Sequence, residues 1–377
     1  MAETTRGGDP RRDTSNLEIS RPELSARSTQ PLVLSGKRVL VTGGAGSIGS
    51  SFVHGLLARH PDCHVVVLDA LTYAGRRENL DGLPARSLTF VHGDIRDPEA
   101  VARAMEGCDF VLNFAAESHV DRSIETPGEF IQTDVYGVFV LGEEARRRRV
   151  KRFIQVSTDE VYGEVMEGHA TEEWPLMPRS PYAASKAGGD RLAYAYYTTY
   201  GLPVVVTRCS NNYGPRQYPE KLVPLFVTNA LDDQPLPVYG TGLNRRDWLH
   251  VDDHCVALET LLTHPGVEGE TFNIGAQHEL DVLTITDTIL RLLGKPKTLI
   301  RHVEDRPGHD QRYAVDSAKL TRVTGWRPAI AFEEGIRQTV EWFRTHESWW
   351  RPIKEGEFRT YYERMYGQRR VLKEVKA

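Results

Sequence analysis

The sequence predicts an α/β protein, a doubly wound parallel sheet followed by a smaller mixed α/β domain on the C-terminal side. Three observations carry this. Short β-branched or apolar runs at residues 38–42, 64–68, 88–92, 110–113, 153–156 and 203–207 are each separated from the next by a helical pattern, and such alternation argues a parallel sheet with helices on both faces. The first run ends in a glycine-rich turn that opens a helix. From Asn211 the alternation stops, giving way to the turn-rich Asn211-Asn212-Tyr213-Gly214-Pro215 and several prolines up to Pro237. With 377 residues the chain exceeds one typical domain. The expected division is a disordered tail over residues 1–35, a nucleotide-binding domain over 36–212 with a returning segment near 240–262, and a ligand-closing domain mainly over 213–377.

Taken in order, strand 38–42 leads into Gly43-Gly44-Ala45-Gly46-Ser47-Ile48-Gly49 and then a helical pattern through Leu57. Glycines let the backbone turn tightly and approach a pyrophosphate, while the helix N-terminus offers free N–H groups. Strand 64–68 stops at Asp69, whose carboxylate can accept from adenosine ribose hydroxyls and disfavours a 2′-phosphate, so a Rossmann domain selecting NAD over NADP is expected. A glycine motif alone fits other α/β turns; the strand context and Asp69 decide here. Ligand loops belong at the carboxyl ends of parallel strands, where Gly93-Asp94-Ile95, Ala115-Ala116-Glu117-Ser118-His119 and residues 157–160 all fall.

The chemistry concentrates in Ser157-Thr158-Asp159-Glu160-Val161-Tyr162-Gly163 and Pro181-Tyr182-Ala183-Ala184-Ser185-Lys186. Tyr182 and Lys186, four residues apart, share one helical face. An ammonium beside a phenol favours the phenolate, so Lys186 is expected to bring the Tyr182 pKa toward the working pH and let it take a proton from a substrate hydroxyl. Asp159 and Glu160 suit an elimination, in which a leaving hydroxyl needs an acid and a C–H bond needs a base. Gly188 and Gly189 cost the helix about 1 kcal/mol each relative to alanine, pointing to close backbone packing.

Thr42-Gly43-Gly44-Ala45-Gly46 with Tyr-x-x-x-Lys resembles the extended short-chain dehydrogenase/reductase superfamily. Leu71-Thr72-Tyr73-Ala74-Gly75, AAESHVDRS at 115–123, STDEVYG at 157–163, SNNYGP at 210–215, Pro219-Glu220-Lys221-Leu222, Arg246-Asp247-Trp248 and DRPGHD at 305–310 are similar to the dTDP-glucose 4,6-dehydratase branch, from about Lys37 to Trp342. The resemblance implies a lyase in which Tyr182 and NAD oxidise C4 of the sugar of dTDP-glucose, Glu160 removes the C5 proton, Asp159 protonates the departing C6 hydroxyl, and hydride returns to C6. Thr158 would hold the C4 oxygen. It further implies cofactor contacts at Gly43, Gly46, Ser47, Ile48, Gly49, Asp69, Thr72, Asp94, Ile95, Ala115, Ala116, Thr133 and Asn212, besides Tyr182 and Lys186. Contacts to the nucleotide sugar are implied at His119, Thr158, Asn211, Lys221, Leu222, Tyr239, Arg246, Asn273, Arg306 and His309. The chain departs from the family pattern at Ser47, where an aromatic is common, and at Asp134, where asparagine is. Within the superfamily a 4-epimerase or decarboxylase, and outside catalysis an NAD-binding sensor, are the other readings.

Forty-seven basic against fifty-two acidic residues leave a net charge of −5, so neither nucleic acid nor an anionic membrane is an expected partner. Cys63, Cys108, Cys209 and Cys255 are scattered without metal or disulfide spacing, which suits a reducing cytoplasm. His250, Asp252, Asp253 and His254 are read not as a metal site but as a helix start near His254 capped by Asp252 or Asp253. Residues 146–149, four arginines, suit a helix C-terminus. Trp342, Phe343, Trp349 and Trp350 are expected to pack a C-terminal helix on the second domain. A homodimer through helices at 127–147 and 182–200 is a further implication of the family.

Overall fold

The computed structural model describes residues 29–367 and 369–372. The N-terminal half alternates β1 (Arg38–Thr42), α1 (Ser47–Arg59), β2 (His64–Asp69), β3 (Leu88–His92), α2 (Pro98–Ala104), β4 (Phe110–Asn113), α3 (Val120–Glu125), α4 (Pro127–Ile131), α5 (Gly137–Arg148), β5 (Arg152–Thr158), α6 (Pro181–Tyr200) and β6 (Val204–Cys209). The remainder holds β7 (Asn211–Tyr213), α7 (Leu222–Leu231), β8 (Leu236–Tyr239), β9 (Arg245–His250), α8 (Val251–Thr263), β10 (Thr271–Ile274), β11 (Glu279–Asp281), α9 (Val282–Leu293), β12 (Ile300–Val303), α10 (Ala318–Thr324), α11 (Phe332–Thr345), α12 (Glu347–Glu355) and α13 (Glu357–Tyr366).

The central sheet has the order β10-β6-β5-β4-β1-β2-β3, and every pair in it is parallel. Its strands read as continuous Val, Ile and Leu because helices cover both faces; Val65, Val66, Val67 and Leu68 are all buried. The chain leaves β1 toward β2 on one side and toward β4 on the other, so the crevice of a doubly wound sheet lies at the carboxyl ends of β1 and β4. The smaller region packs α7, α9, α11, α12 and α13 with the antiparallel pair β11-β9 and the parallel pair β12-β8.

Four expectations are corrected. The sheet has a strand the sequence reading passed over, β10, which extends the returning segment beyond residue 262 and pairs Thr271 with Val206; four residues after a turn-rich loop carry little periodicity of their own. The tail expected to reach residue 35 joins the core earlier, since Leu34 is buried and the Leu32 N–H donates to the Thr263 carbonyl (2.8 Å); residues 1–28 of that expectation lie outside the described residues. Helix α8 begins at Val251, and its cap is His250, whose Nδ1 accepts from the Asp252 N–H at 3.3 Å. Asp253 instead accepts from the Ala329 and Ile330 N–H groups (3.1 and 2.9 Å) and anchors the loop before α11. The stretch 127–147, read as one helix, contains a π-helical turn over Gln132–Tyr136 between α4 and α5.

Other expectations hold. The arginines at 146–148 close α5, pairing with Glu143 and Glu144, before Arg149 turns left-handed (φ 54). Phe343 and Trp350 are buried in the second core. A Cβ on Gly189 would collide with the Asp134 carbonyl oxygen, so α6 and the π turn do meet backbone to backbone. Helix α6 itself starts at Ser180, whose Oγ accepts from the Ala183 N–H (3.1 Å), and ends at Gly201 with φ +70. Among the described residues no helix is long and apolar enough to cross a membrane.

Candidate active site

A cleft of about 320 Å³ opens at the carboxyl ends of β1, β4 and β5. Its floor is the glycine turn, and Gly43, Gly46, Ser47, Ile48 and Gly49 all line it. Gly43 has φ +66, and a Cβ there would sit 2.6 Å from the Ala115 nitrogen; a Cβ on Gly49 would collide with the Gly43 carbonyl. Side-chain-free backbone at a helix N-terminus is what a pyrophosphate needs. Asp69 closes the turn, accepting from the Ala45 N–H at 2.9 Å and the Leu71 N–H at 2.8 Å, and each oxygen keeps a lone pair for a ribose hydroxyl. Thr72, Asp94, Ile95, Ala115, Ala116, Thr133 and Asn212 line the same cleft. Asp94 is gripped by Arg96 through Nε and Nη2 (2.9 and 2.7 Å); burial raises its pKa, but those bonds outweigh it and leave the carboxyl below its ordinary value. These residues fit a dinucleotide.

Strand β5 runs into a single 3₁₀ turn, Asp159–Tyr162, capped by Thr158, whose Oγ1 accepts from the Glu160 N–H (3.3 Å) and donates to Asp159 Oδ1 (3.1 Å). The turn places Thr158, Asp159 and Glu160, and α6 places Tyr182 and Lys186, in the lining of the cleft. Burial, then the Glu160 charge, pushes the Asp159 carboxyl up to about 8, and its Oδ2 has no hydrogen-bond partner among the described residues. Burial also raises Glu160, against the pull of Arg306, Arg246 and Lys221. Two adjacent carboxyls, one of them protonated at neutral pH, form an acid/base pair.

The expectation for Tyr182 is not met. Its phenol is held well above the ordinary value, by burial first and by Glu160 next. Lys186 Nζ donates to the Val156 carbonyl at 2.8 Å, and Asp134, a nearby anion, adds to the rise of the phenol. Helical spacing reveals that Lys186 is near; it does not reveal the anions.

Asn211 and Lys221 share the cleft, with Asn211 Oδ1 unpartnered among the described residues and the Lys221 ammonium bound to the Ser118 carbonyl. Arg246 and Arg306 adjoin it electrostatically through Glu160. Arg246 Nη2 donates to the Asp310 carbonyl (2.9 Å), with its guanidinium 4.2 Å from the Tyr313 ring centre. Arg306 pairs with Asp121 at 3.3 Å, and Asp121 also accepts from the Tyr239 hydroxyl at 3.0 Å. His309 bonds Asp305 (2.7 Å), and His119 is buried, its pKa lowered to about 4 by burial. Leu222 opens α7 beside Lys221. Lys221, Arg246 and Arg306 all act on the Glu160 carboxyl, and cations converging in this way suit a diphosphate.

Asn273 does not join them. It is fully buried, its Nδ2 donates to the Ala170 and Asp316 carbonyls (2.9 and 3.2 Å) and its Oδ1 accepts from Tyr162 (2.7 Å), so its side chain is spent on holding β10 against the loop after β5. Conversely, the sequence reading singled out neither Arg96, which lines the cleft, nor Tyr313, whose hydroxyl approaches Glu160 at 3.4 Å. It also passed over Tyr366, stacked on Tyr239 with ring centres 5.9 Å apart. Arg96 lies two residues after Asp94, within reach of a local pattern; Tyr313 and Tyr366 are far in sequence from Glu160 and Tyr239.

A doubly wound sheet with a glycine cradle, a capped Thr-Asp-Glu turn and a Tyr/Lys helix defines an extended short-chain dehydrogenase/reductase. Residues 40–339 match the model of the family described as GDP-mannose 4,6 dehydratase. The chain is 50% identical over 322 residues to a dTDP-glucose 4,6-dehydratase of Streptomyces niveus, covering 84% of this chain and 96% of that relative. Among solved structures it is similar to DesIV, a dTDP-glucose 4,6-dehydratase from Streptomyces venezuelae with NAD and TYD bound (52% identity, TM-score 0.81, 84% and 100% of the two chains). It is likewise similar to the dTDP-glucose 4,6-dehydratase of Bacillus anthracis in complex with NAD (46% identity, TM-score 0.79, 84% and 100%). This chain belongs to the dTDP-glucose 4,6-dehydratase family.

Proposed function

We propose that the protein converts dTDP-glucose to dTDP-4-keto-6-deoxyglucose and water, with NAD recycled within one catalytic cycle. The observation that carries this is the Asp159–Glu160 pair beside Tyr182, with the Asp159 carboxyl pushed up to about 8 by burial and Glu160. Oxidation and reduction at one carbon, as in an epimerase, need no such pair; expulsion of hydroxide does. Gly43, Gly46 and Gly49 would hold the pyrophosphate of NAD, which when bound would supply the hydride acceptor for C4 and the hydride donor for C6. Tyr182 takes the C4 hydroxyl proton in the fraction of molecules whose phenol is ionised, and Thr158 holds that oxygen. Glu160 removes the C5 proton made acidic by the neighbouring ketone and gives it back to C5 when hydride reaches C6, and Asp159 delivers its proton to the C6 hydroxyl, which leaves as water. Lys221, Arg246 and Arg306 neutralise the diphosphate, with His119, Asn211, Tyr239 and His309 around the rest of the nucleotide sugar. Asn273 acts through the packing of β10.

The protein works as a cytoplasmic homodimer in this reading. Ile131, Tyr136, Phe139, Tyr194 and Tyr200 leave large apolar groups exposed on the π turn and on α4, α5 and α6, a surface suited to a second copy, and four buried free thiols suit a reducing compartment. The test is incubation with dTDP-glucose and no added reductant. A 4-keto-6-deoxy product supports the reading; a 4-epimer replaces it with an epimerase, and retained NAD without turnover with a sensor.

A further inference from the structure

Asp134 is a buried carboxyl to which the proposed reaction assigns no step. It lies in the π turn Gln132–Tyr136 and is only 3% exposed. Turns of this kind recur at functional sites. Here the inward side chain bridges two parts of the cleft. Oδ2 accepts from the Ser185 hydroxyl at 2.6 Å, on the helix that carries Tyr182 and Lys186, and Oδ1 accepts from the Glu117 N–H at 3.1 Å, on the cofactor-facing loop after β4. The backbone contact at Gly189 fixes the same junction. The titratable groups acting on or acted on by Asp134 are Lys186 and Tyr182 on α6 and Glu117 on the loop.

We propose that Asp134 is a positioning residue of the redox centre: it ties the Tyr182/Lys186 helix to the cofactor-facing loop and, as an anion beside both groups, sets the field in which the phenol ionises. The inference rests on the role proposed above for Tyr182. Burial pushes the Asp134 carboxyl up to about 6, with Lys186, Ser185 and Glu117 N–H opposing, so it is charged at neutral pH. Its charge raises Tyr182, alongside Glu160 on the 3₁₀ turn and Cys209 on β6, while the Thr158 hydrogen bond lowers it.

Asparagine can keep the tie without the charge. The Ser185 hydroxyl also lies 2.8 Å from the Tyr182 carbonyl, so it can donate there and accept from an amide, while the amide oxygen accepts from the Glu117 N–H. Asp134→Asn removes an anion from the phenol, and the acid limb of C4 oxidation, followed as appearance of reduced nicotinamide in a single turnover, should move to lower pH by roughly half a unit to one unit. At a fixed pH on that limb the rate rises about three- to tenfold. Ser185→Ala cuts the tie but keeps the charge, and should lower the rate at every pH with the limb in place. An unmoved limb in Asp134→Asn, or a limb moved equally by Ser185→Ala, overturns the proposal. If Asp134→Asn does not fold, Ser185→Ala decides alone, and an unchanged rate overturns the tie. Wild-type protein that forms no 4-keto sugar would remove the underlying reading; wild-type turnover with an unmoved Asp134→Asn limb removes this inference only.

Discussion

Replacing Asp159 by asparagine tests the centre of the proposed chemistry. An ordinary aspartate with a pKa near 3.8 is protonated in about one molecule in 1,500 at pH 7, whereas a carboxyl at about 8 is protonated in about nine of ten. Burial and the Glu160 charge therefore make the acid available roughly a thousandfold more often. Asp159→Asn keeps the shape and loses the proton, so elimination should slow by about 10²–10⁴-fold while C4 oxidation continues. Mixing the variant with dTDP-glucose should then accumulate reduced nicotinamide in a burst, with little 4-keto-6-deoxy product. The wild-type elimination rate should fall as pH rises through about 8, when the acid loses its proton. Stability gives an independent check. A carboxyl whose folded pKa is raised favours the fold fully below its unfolded pKa and loses that contribution as pH rises toward the folded value. Asp159→Asn should therefore melt higher than wild type, by a margin that widens from about pH 4 to pH 8. Product formation by Asp159→Asn at the wild-type rate, or a melting difference flat across that range, would refute the assignment.

Three more outcomes follow from particular contacts. In Gly49→Ala the new Cβ meets the Gly43 carbonyl and must open the cradle; overpacking of this kind costs about 1–3 kcal/mol, read as NAD content of the purified protein falling severalfold or more while the circular dichroism spectrum stays native. Arg246→Lys loses the planar fork and its place over Tyr313, so the KM for dTDP-glucose should rise about tenfold or more with a smaller change in kcat. Trp350→Ala empties a site that is 1% exposed and removes the indole N–H bond to the Phe343 carbonyl (2.7 Å); denaturant titration should show a loss of about 3–5 kcal/mol, with the folded fraction still active.

The chain order itself settles six of the seven strands of the sheet and where its ligand loops fall, because the relevant signals are local: β-branched runs, a glycine turn before a helix, an acid ending the second strand, and a Tyr/Lys pair on one helical turn. Gly43, Gly49, Asp69, Asp159, Glu160, Tyr182 and Lys186 all line one cleft as that pattern requires. Tertiary structure alone decided what depends on contact between distant segments. Strand β10 pairs with β6 across some sixty intervening residues, Asn273 is consumed by that packing, and His250 rather than an aspartate caps α8. The electrostatics belong to the same class. Sequence spacing places Lys186 on the same helical face as Tyr182, but the phenol's ionisation depends on burial and on the summed field of Glu160, Cys209 and Asp134, a quantity of positions in space that no one-dimensional pattern encodes.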